Sequence, residues 1–255
     1  MSSEVKMHHL QVTPSQIGKY VILPGDPGRV EKIARHLENP YFVNTNREYT
    51  IWNGTLEGET VTVMSTGMGG PSTAIGVEEL KMCGAEVLIR LGTCGGIDPE
   101  IKPGTLIIAT GSIRKEGTTR EYVPIEYPAV PDFDTTLELR EAAKRLNFPY
   151  ALGVSESKDS FYGQHAPESM PVGYELINKW NAWQKAGAIA SEMESAALFI
   201  VASVRRMKAA AIFLLCSNQE REKKYGIKEE CWDNERQILT VVEALRSIIK
   251  KDKQK

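Results

Sequence analysis

Glu86-Val-Leu-Ile-Arg90-Leu-Gly-Thr93-Cys-Gly95-Gly96 is an apolar run that takes in one charge and ends in glycine. Val87, Leu88, Ile89 and Leu91 read as a buried strand, and the glycines as the tight turn that ends it. Arg90 lies inside that run. An unpaired buried guanidinium costs several kcal/mol, so it needs a buried carboxylate or an exit into a cleft that holds an anion. The turn offers free backbone N–H groups and the Thr93 hydroxyl. Together with an arginine, these suit an oxyanion, phosphate above all. The end of a parallel strand is also where α/β proteins place ligands. Both readings of Arg90 stand at this level.

Outward from this strand, helices and strands alternate. Tyr20–Leu23 is a short strand ending at Pro24-Gly-Asp-Pro-Gly28, where Asp26 caps and Pro27 opens a helix through about Leu37. Tyr41–Trp52 and Thr60–Ser65 read as strands, with turns at Asn53-Gly54 and Glu57-Gly58. A glycine-rich turn, Thr66-Gly-Met-Gly-Gly-Pro-Ser72, opens a helix that ends near Gly84. Gly104–Thr110 follows as a strand, and the proline-rich stretch 115–133 reads as a long loop. Thr135–Leu146 is a helix, Tyr150–Ser157 a strand, Phe161–Gly173 irregular and Tyr174–Lys185 an amphipathic helix. Glu192–Arg206 reads as an apolar helix and Ala209–Leu215 as a strand. Ile238, Val241, Val242, Leu245, Ile248 and Ile249 mark a last amphipathic helix before a solvated lysine-rich tail. No repeat or linker interrupts this order, which predicts one α/β domain over residues 1–255.

A length of 255 residues suffices for one large domain. The net charge of −2 gives no field to attract nucleic acid or an anionic membrane. The N-terminus shows no apolar signal segment, and no apolar run reaches the roughly 20 residues that span a bilayer. Cys83, Cys94, Cys216 and Cys231 form no C-x-x-C and no zinc spacing, in keeping with a reducing cytoplasm.

Three junctions suit anion chemistry: Pro24-Gly25-Asp26-Pro27-Gly28-Arg29, the Arg90/Thr93 turn, and the Gly67–Pro71 turn. No Gly-Lys-[Ser/Thr] follows any of these glycines, so none is a Walker loop. Arg29 also reads as a surface residue and the third turn as tight packing. Ser191-Glu192-Met193-Glu194-Ser195 is either a capping box or a carboxylate pair that accepts vicinal hydroxyls, as a ribose presents. Phe161-Tyr-Gly-Gln164-His165 sets an aromatic ring beside an amide able to pair with an imide or lactam edge.

The order of these motifs resembles the nucleoside phosphorylase-I family, and within it the uridine phosphorylase branch, from about His9 to the last helix. The resemblance implies a three-layer α/β/α fold with a mixed, partly barrel-like central sheet. It implies reversible phosphorolysis of uridine, or of deoxyuridine or thymidine, to uracil and an α-pentose 1-phosphate, with a nucleoside and inorganic phosphate as substrates. No metal or redox cofactor is needed. Phosphate falls to Gly25, Arg29, Arg90 and Thr93, with Arg47 from a neighbouring subunit. Ribose falls to Glu192, Met193 and Glu194, with His9 (or His8) from that neighbour. The base falls to Thr93, Cys94, Gly95, Phe161, Gln164, Cys216 and Ser217. Arg90, Glu194 and Gln164 carry the catalysis. Glu48, Met68 and Ser72 match positions where some members bind a monovalent cation between subunits. The implied assembly is a hexamer, a trimer of dimers with shared sites.

Two departures stand out. The branch usually carries an arginine shortly after the base-binding glutamine, whereas this chain reads Gln164-His-Ala-Pro-Glu-Ser169, leaving His165 or Arg221 as substitutes. Cys94 stands where many members have threonine. The absence of an aspartate in Leu214-Leu-Cys-Ser217-Asn218-Gln219 disfavours a purine base. A purine or broad-specificity phosphorylase and a weakly active nucleoside-binding relative remain the alternatives. A hydrolytic nucleosidase fits the three arginines less well.

Overall fold

Core residues on the central strands alternate between two apolar clusters, which is why helices cover both faces of the sheet. The computed structural model describes residues 5–254. In chain order the elements are β1 (Tyr20–Leu23), α1 (Val30–Ala34), β2 (Glu38–Asn46), β3 (Tyr49–Leu56), β4 (Glu59–Met64) and α2 (Gly70–Met82). There follow β5 (Val87–Gly96), β6 (Leu106–Lys115), α3 (Phe133–Arg145), β7 (Tyr150–Lys158), α4 (Phe161–His165) and α5 (Gly173–Ala186). The chain ends with β8 (Ala190–Glu192), α6 (Ser195–Val204), β9 (Lys208–Ser217), α7 (Gln219–Tyr225) and α8 (Glu235–Asp252).

The sheet runs β2-β3-β4-β1-β5-β8-β7-β6-β9, and β5 also pairs with β9. That extra pairing closes β5, β8, β7, β6 and β9 into a mixed five-stranded barrel, with β1–β4 as an open extension. Val21, Leu88, Ala211 and Phe213 pack with Val77 of α2 and Leu198 of α6. Ile22, Ile89, Ile212 and Leu214 pack with Ile33 of α1, Leu139 of α3 and Leu245 of α8. The two-residue period of a strand thus produces the expected α/β/α layering. Each buried Leu, Ile or Phe stabilises it by roughly 1.5–3 kcal/mol. Among the described residues no helix is long and apolar enough to cross a membrane.

The structure corrects several element boundaries. Tyr41–Trp52 is not one strand, because β2 and β3 form a hairpin turning at Arg47-Glu48, with Arg47 at φ 54°. No glycine marks that turn. Asn53-Gly54 lies inside β3; a Cβ on Gly54 would meet the Leu37 Cβ at 2.6 Å, so this glycine serves packing. The stretch 115–133 is not free loop. It wraps the buried Arg114, which donates to the carbonyls of Thr119, Val123, Pro124 and Tyr127. Phe161–Gly173 contains α4, and α7 adds a helix where none was expected. The lysine-rich tail is helical to Asp252, and Lys251 pairs with Glu138. The supposed start of the 192–206 helix is the strand β8, which rules out the capping box at Ser191.

Candidate active site

The C-terminal ends of β1, β5, β7 and β9, joined by β8 and the turn after β4, open onto one cavity of about 930 Å³. Its wall includes Gly25, Arg29, Arg90, Thr93, Cys94, Gly95, Phe161, Gln164, Glu192, Met193, Glu194, Cys216 and Ser217, all anticipated from the sequence. Local chemistry sets these positions. Asp26 accepts from the Gly28 amide at 2.8 Å and turns the chain so that Arg29 faces the cavity. Gly67 and Gly69, at φ 71° and 95°, let the turn after β4 bring the Gly69 amide to Glu194 Oε1 at 2.6 Å.

Arg90 finds the buried carboxylates that its strand called for. Its Nε donates to Glu192 Oε2 at 3.1 Å and its Nη2 to Glu194 Oε2. Its Nη1 is buried with no partner among the described residues. A Cβ on Gly25 would stand 3.9 Å from that nitrogen, so the glycine leaves room beside it. Arg29 lines the same cavity and donates to Asn234 Oδ1 at 3.2 Å. Burial and then the charge of Arg90 push the Arg29 pKa down. Two guanidiniums on one cavity wall, one with an open donor, have the chemistry to hold an anion.

The two glutamates differ. Burial pushes Glu192 up, but Arg90, the hydroxyls of Ser157 and Ser195 and the Glu194 amide outweigh it and hold Glu192 below the usual carboxylate range. Both Glu192 oxygens are engaged: they accept from the Ser195 amide at 3.1 and 3.0 Å and from Ser195 Oγ at 2.6 Å. Glu192 therefore holds Arg90 and the start of α6. Glu194 is pushed up by burial and by Glu192. The Glu194 carboxylate is held by the Gly69 amide, Arg90 and the Met193 backbone, and it lines the cavity.

At the other end, Phe161 opens α4, which Ser160 caps by accepting from the Gly163 amide at 3.0 Å. The Phe161 ring lies against His165 with centroids 4.2 Å apart. Gln164 Oε1 lies 2.9 Å from Ser191 Oγ. Burial raises the thiol pKa of Cys94 well above its usual value and that of Cys216 to about 11, so both are neutral walls. Lys158, which no motif signalled, also lines this end and is 3% exposed. Of the proposed stand-ins for the missing arginine, His165 is at the cavity. Arg221 is not, being held by Glu229 at 3.0 Å and the Pro99 carbonyl at 3.1 Å.

His9, Arg47 and Ser72 do not reach the cavity of their own chain. His9 is tied to Glu79, with Nδ1 at 2.7 Å from Oε1, His8 is exposed, and Arg47 stands exposed on its turn. Glu48 and Met68 lie at the cavity, and Glu48 and Ser72 flank Gly67.

A family model described as the phosphorylase superfamily matches residues 19–250. The chain belongs to that superfamily. It is 52% identical to a uridine phosphorylase of Treponema pallidum over 96% of this chain and 95% of that one. It is 36% identical to a uridine phosphorylase of Haemophilus influenzae over 94% of this chain and 98% of the relative. It is also 36% identical to a guanosine phosphorylase of Halorubrum lacusprofundi over 95% and 99%.

Proposed function

We infer that this chain catalyses the reversible phosphorolysis of uridine to uracil and α-ribose 1-phosphate. The observation that carries the phosphate half is Arg90, buried, doubly paired and still holding one open donor beside Gly25 and Arg29. A hydrolase needs no such site. The relative at 52% identity supports the pyrimidine half.

Each residue then has a physical role. Arg29, Arg90, the Gly25 amide and the Thr93 hydroxyl hold the phosphate dianion on one face of the sugar. Glu194 accepts from the ribose hydroxyls, with Met193 packed against the ring, and Glu192 keeps Arg90 in place. As the C1′–N1 bond stretches, the sugar gains oxocarbenium character, and the adjacent phosphate charge stabilises it. Attack from the face opposite the base inverts C1′. Phe161 stacks on the uracil and Gln164 pairs with its imide edge, while Cys94, Gly95, Cys216 and Ser217 shape the pocket.

His9 and Arg47 act on the neighbour's cavity in a dimer, three of which make a hexamer. Glu48, Met68 and Ser72 meet a monovalent cation at that dimer's interface. The free cysteines suit a cytoplasmic setting. The deciding assay incubates the purified protein with uridine, thymidine or inosine, with and without phosphate. Uracil release from uridine that requires phosphate is expected. Cleavage of inosine alone would move the base assignment to purines, and uracil release without phosphate would make the enzyme a hydrolase.

A further inference from the structure

The base end of the cavity holds a charged cluster that the roles above leave unused. β7 and β8 run parallel, with Glu156 opposite Ser191 and Ser157 opposite Glu192. Alternation along β7 puts Glu156 and Lys158 on one face and Ser155 and Ser157 on the other. The serine face supports Glu192. On the other face Lys158 Nζ donates to Ser191 Oγ at 2.6 Å and, weakly, to the Glu192 carbonyl at 3.4 Å. Ser191 Oγ in turn lies 2.5 Å from Glu156 Oε2 and 2.9 Å from Gln164 Oε1. The serine has one hydrogen, so donating it to Glu156 frees the Gln164 oxygen to accept from an imide N–H.

An ammonium has three donors, and among the described residues Lys158 uses two of them. Its side chain lines the cavity together with Phe161, Gln164 and His165. Burial, with a smaller push from Lys115, holds the Lys158 pKa below its ordinary value, against the opposing charges of Glu156, Glu192 and Glu194. Lys115 Nζ stands 3.7 Å from Glu156 Oε1, so Glu156 is a shared counter-charge behind the lysine. A lysine placed there for packing alone would be a costly choice.

We propose that Lys158, positioned by Ser191 and Glu156, donates a hydrogen bond to a ring carbonyl of the pyrimidine and stabilises the negative charge that builds on the base as it leaves. The inference rests on the uridine phosphorolysis reading and deepens it. A phosphate oxygen bonds to C1′ while the C1′–N1 pair withdraws onto N1 and, by conjugation, onto O2 and O4. Lys158 stays protonated throughout, and the uracil anion takes its proton from the new phosphate monoester or from water. The donor also sets selectivity. A carbonyl at C4 accepts from it, whereas the amino group of cytosine would meet it donor to donor. Lys158 thereby supplies, from β7, the cation that the segment after Gln164 lacks.

The test compares uridine with 5-fluorouridine, whose base is the better leaving group, in the wild type, Lys158→Met and Lys158→Arg. Lys158→Met should lower kcat/KM for uridine by roughly 10²-fold, the size of losing one donor to developing charge. The loss should be several-fold smaller for 5-fluorouridine, phosphate KM should stay within about twofold, and Lys158→Arg should recover part of the rate. Circular dichroism and melting establish that each variant folds, and Lys158→Gln repeats the comparison if the methionine variant does not. Equal losses on both substrates, or none, would overturn the proposal while leaving uridine phosphorolysis in place. Failure of the wild type itself to release uracil would overturn the underlying reading instead.

Discussion

At the end of the cavity we assign to phosphate, the groups sit on β5 or just past the end of β1: Gly25 and Arg29 after β1, Arg90 and Thr93 on β5. At the base end they hang on a three-residue strand, β8, and on a five-residue helix, α4, and depend on the register of β7 against β8. The first end is assembled from short contiguous motifs, each with its own turn chemistry. The second exists only when residues far apart in the chain come together. The contrast teaches that an anion site is local in sequence because backbone amides and glycines make it. Base recognition is not local, because it takes side chains from several elements aimed at one flat edge.

The largest effect that would break this comparison is at Arg90. Arg90→Ala should lower kcat/KM by 10³-fold or more, in the range found when a donor and positioning cation are lost together (about 4 kcal/mol or more). It also strands two buried carboxylates, so stability measured by urea should fall by about 3–5 kcal/mol. Unchanged phosphate kinetics would remove Arg90 from the phosphate site. A second measurement sharpens the contribution of the neighbour. Arg47→Ala and Arg90→Ala subunits, each nearly inactive alone, should regain turnover once mixed and exchanged. No recovery after exchange, followed by mass spectrometry, would place Arg47 outside a shared site.

At the base end, Gln164→Ala should cost about 10- to 100-fold in kcat/KM for uridine, the value of one or two buried hydrogen bonds, with phosphate KM unmoved. A parallel rise in phosphate KM would mean the two ends are not separable. The smallest effect lies outside both. Burial raises Glu79, but the amides of Leu10 and His9 and the His9 ring outweigh it and hold its pKa below the usual carboxylate range. A depressed carboxylate stabilises the fold above the ordinary pKa, and that contribution is lost as pH falls through the lowered one. Glu79→Gln should therefore lower the unfolding free energy measured in urea at pH 7 by about 1–3 kcal/mol, the value of a charged acceptor, and by less as the medium is acidified. A gap that stays constant with pH would count against a charged Glu79.

The sequence carried the α/β layering because alternation on Tyr20–Leu23, Val87–Leu91 and Ala209–Leu215 leaves those strands no choice but burial on two faces. It picked out the cavity residues Gly25, Arg29, Arg90 and Thr93 for the same kind of reason: Asp26, Pro27, the glycines and an arginine within an apolar run are local constraints. It misled at Ser191, where a capping pattern concealed a strand, and at Arg47, where the hairpin turns without glycine. It was silent on Lys158 and Glu156, ordinary charges until β8 arrives beside them. Whether Arg90 meets a buried carboxylate was open in the sequence, and the barrel brings it two. Closure of β5 onto β8 and β9 brings Glu192 and Glu194 to two of its nitrogens and leaves the third facing the glycine turn. Local chemistry thus determined which groups are needed, and long-range strand register decided which of them meet, since a shift of one residue in β7 or β8 would turn each side chain to the opposite face.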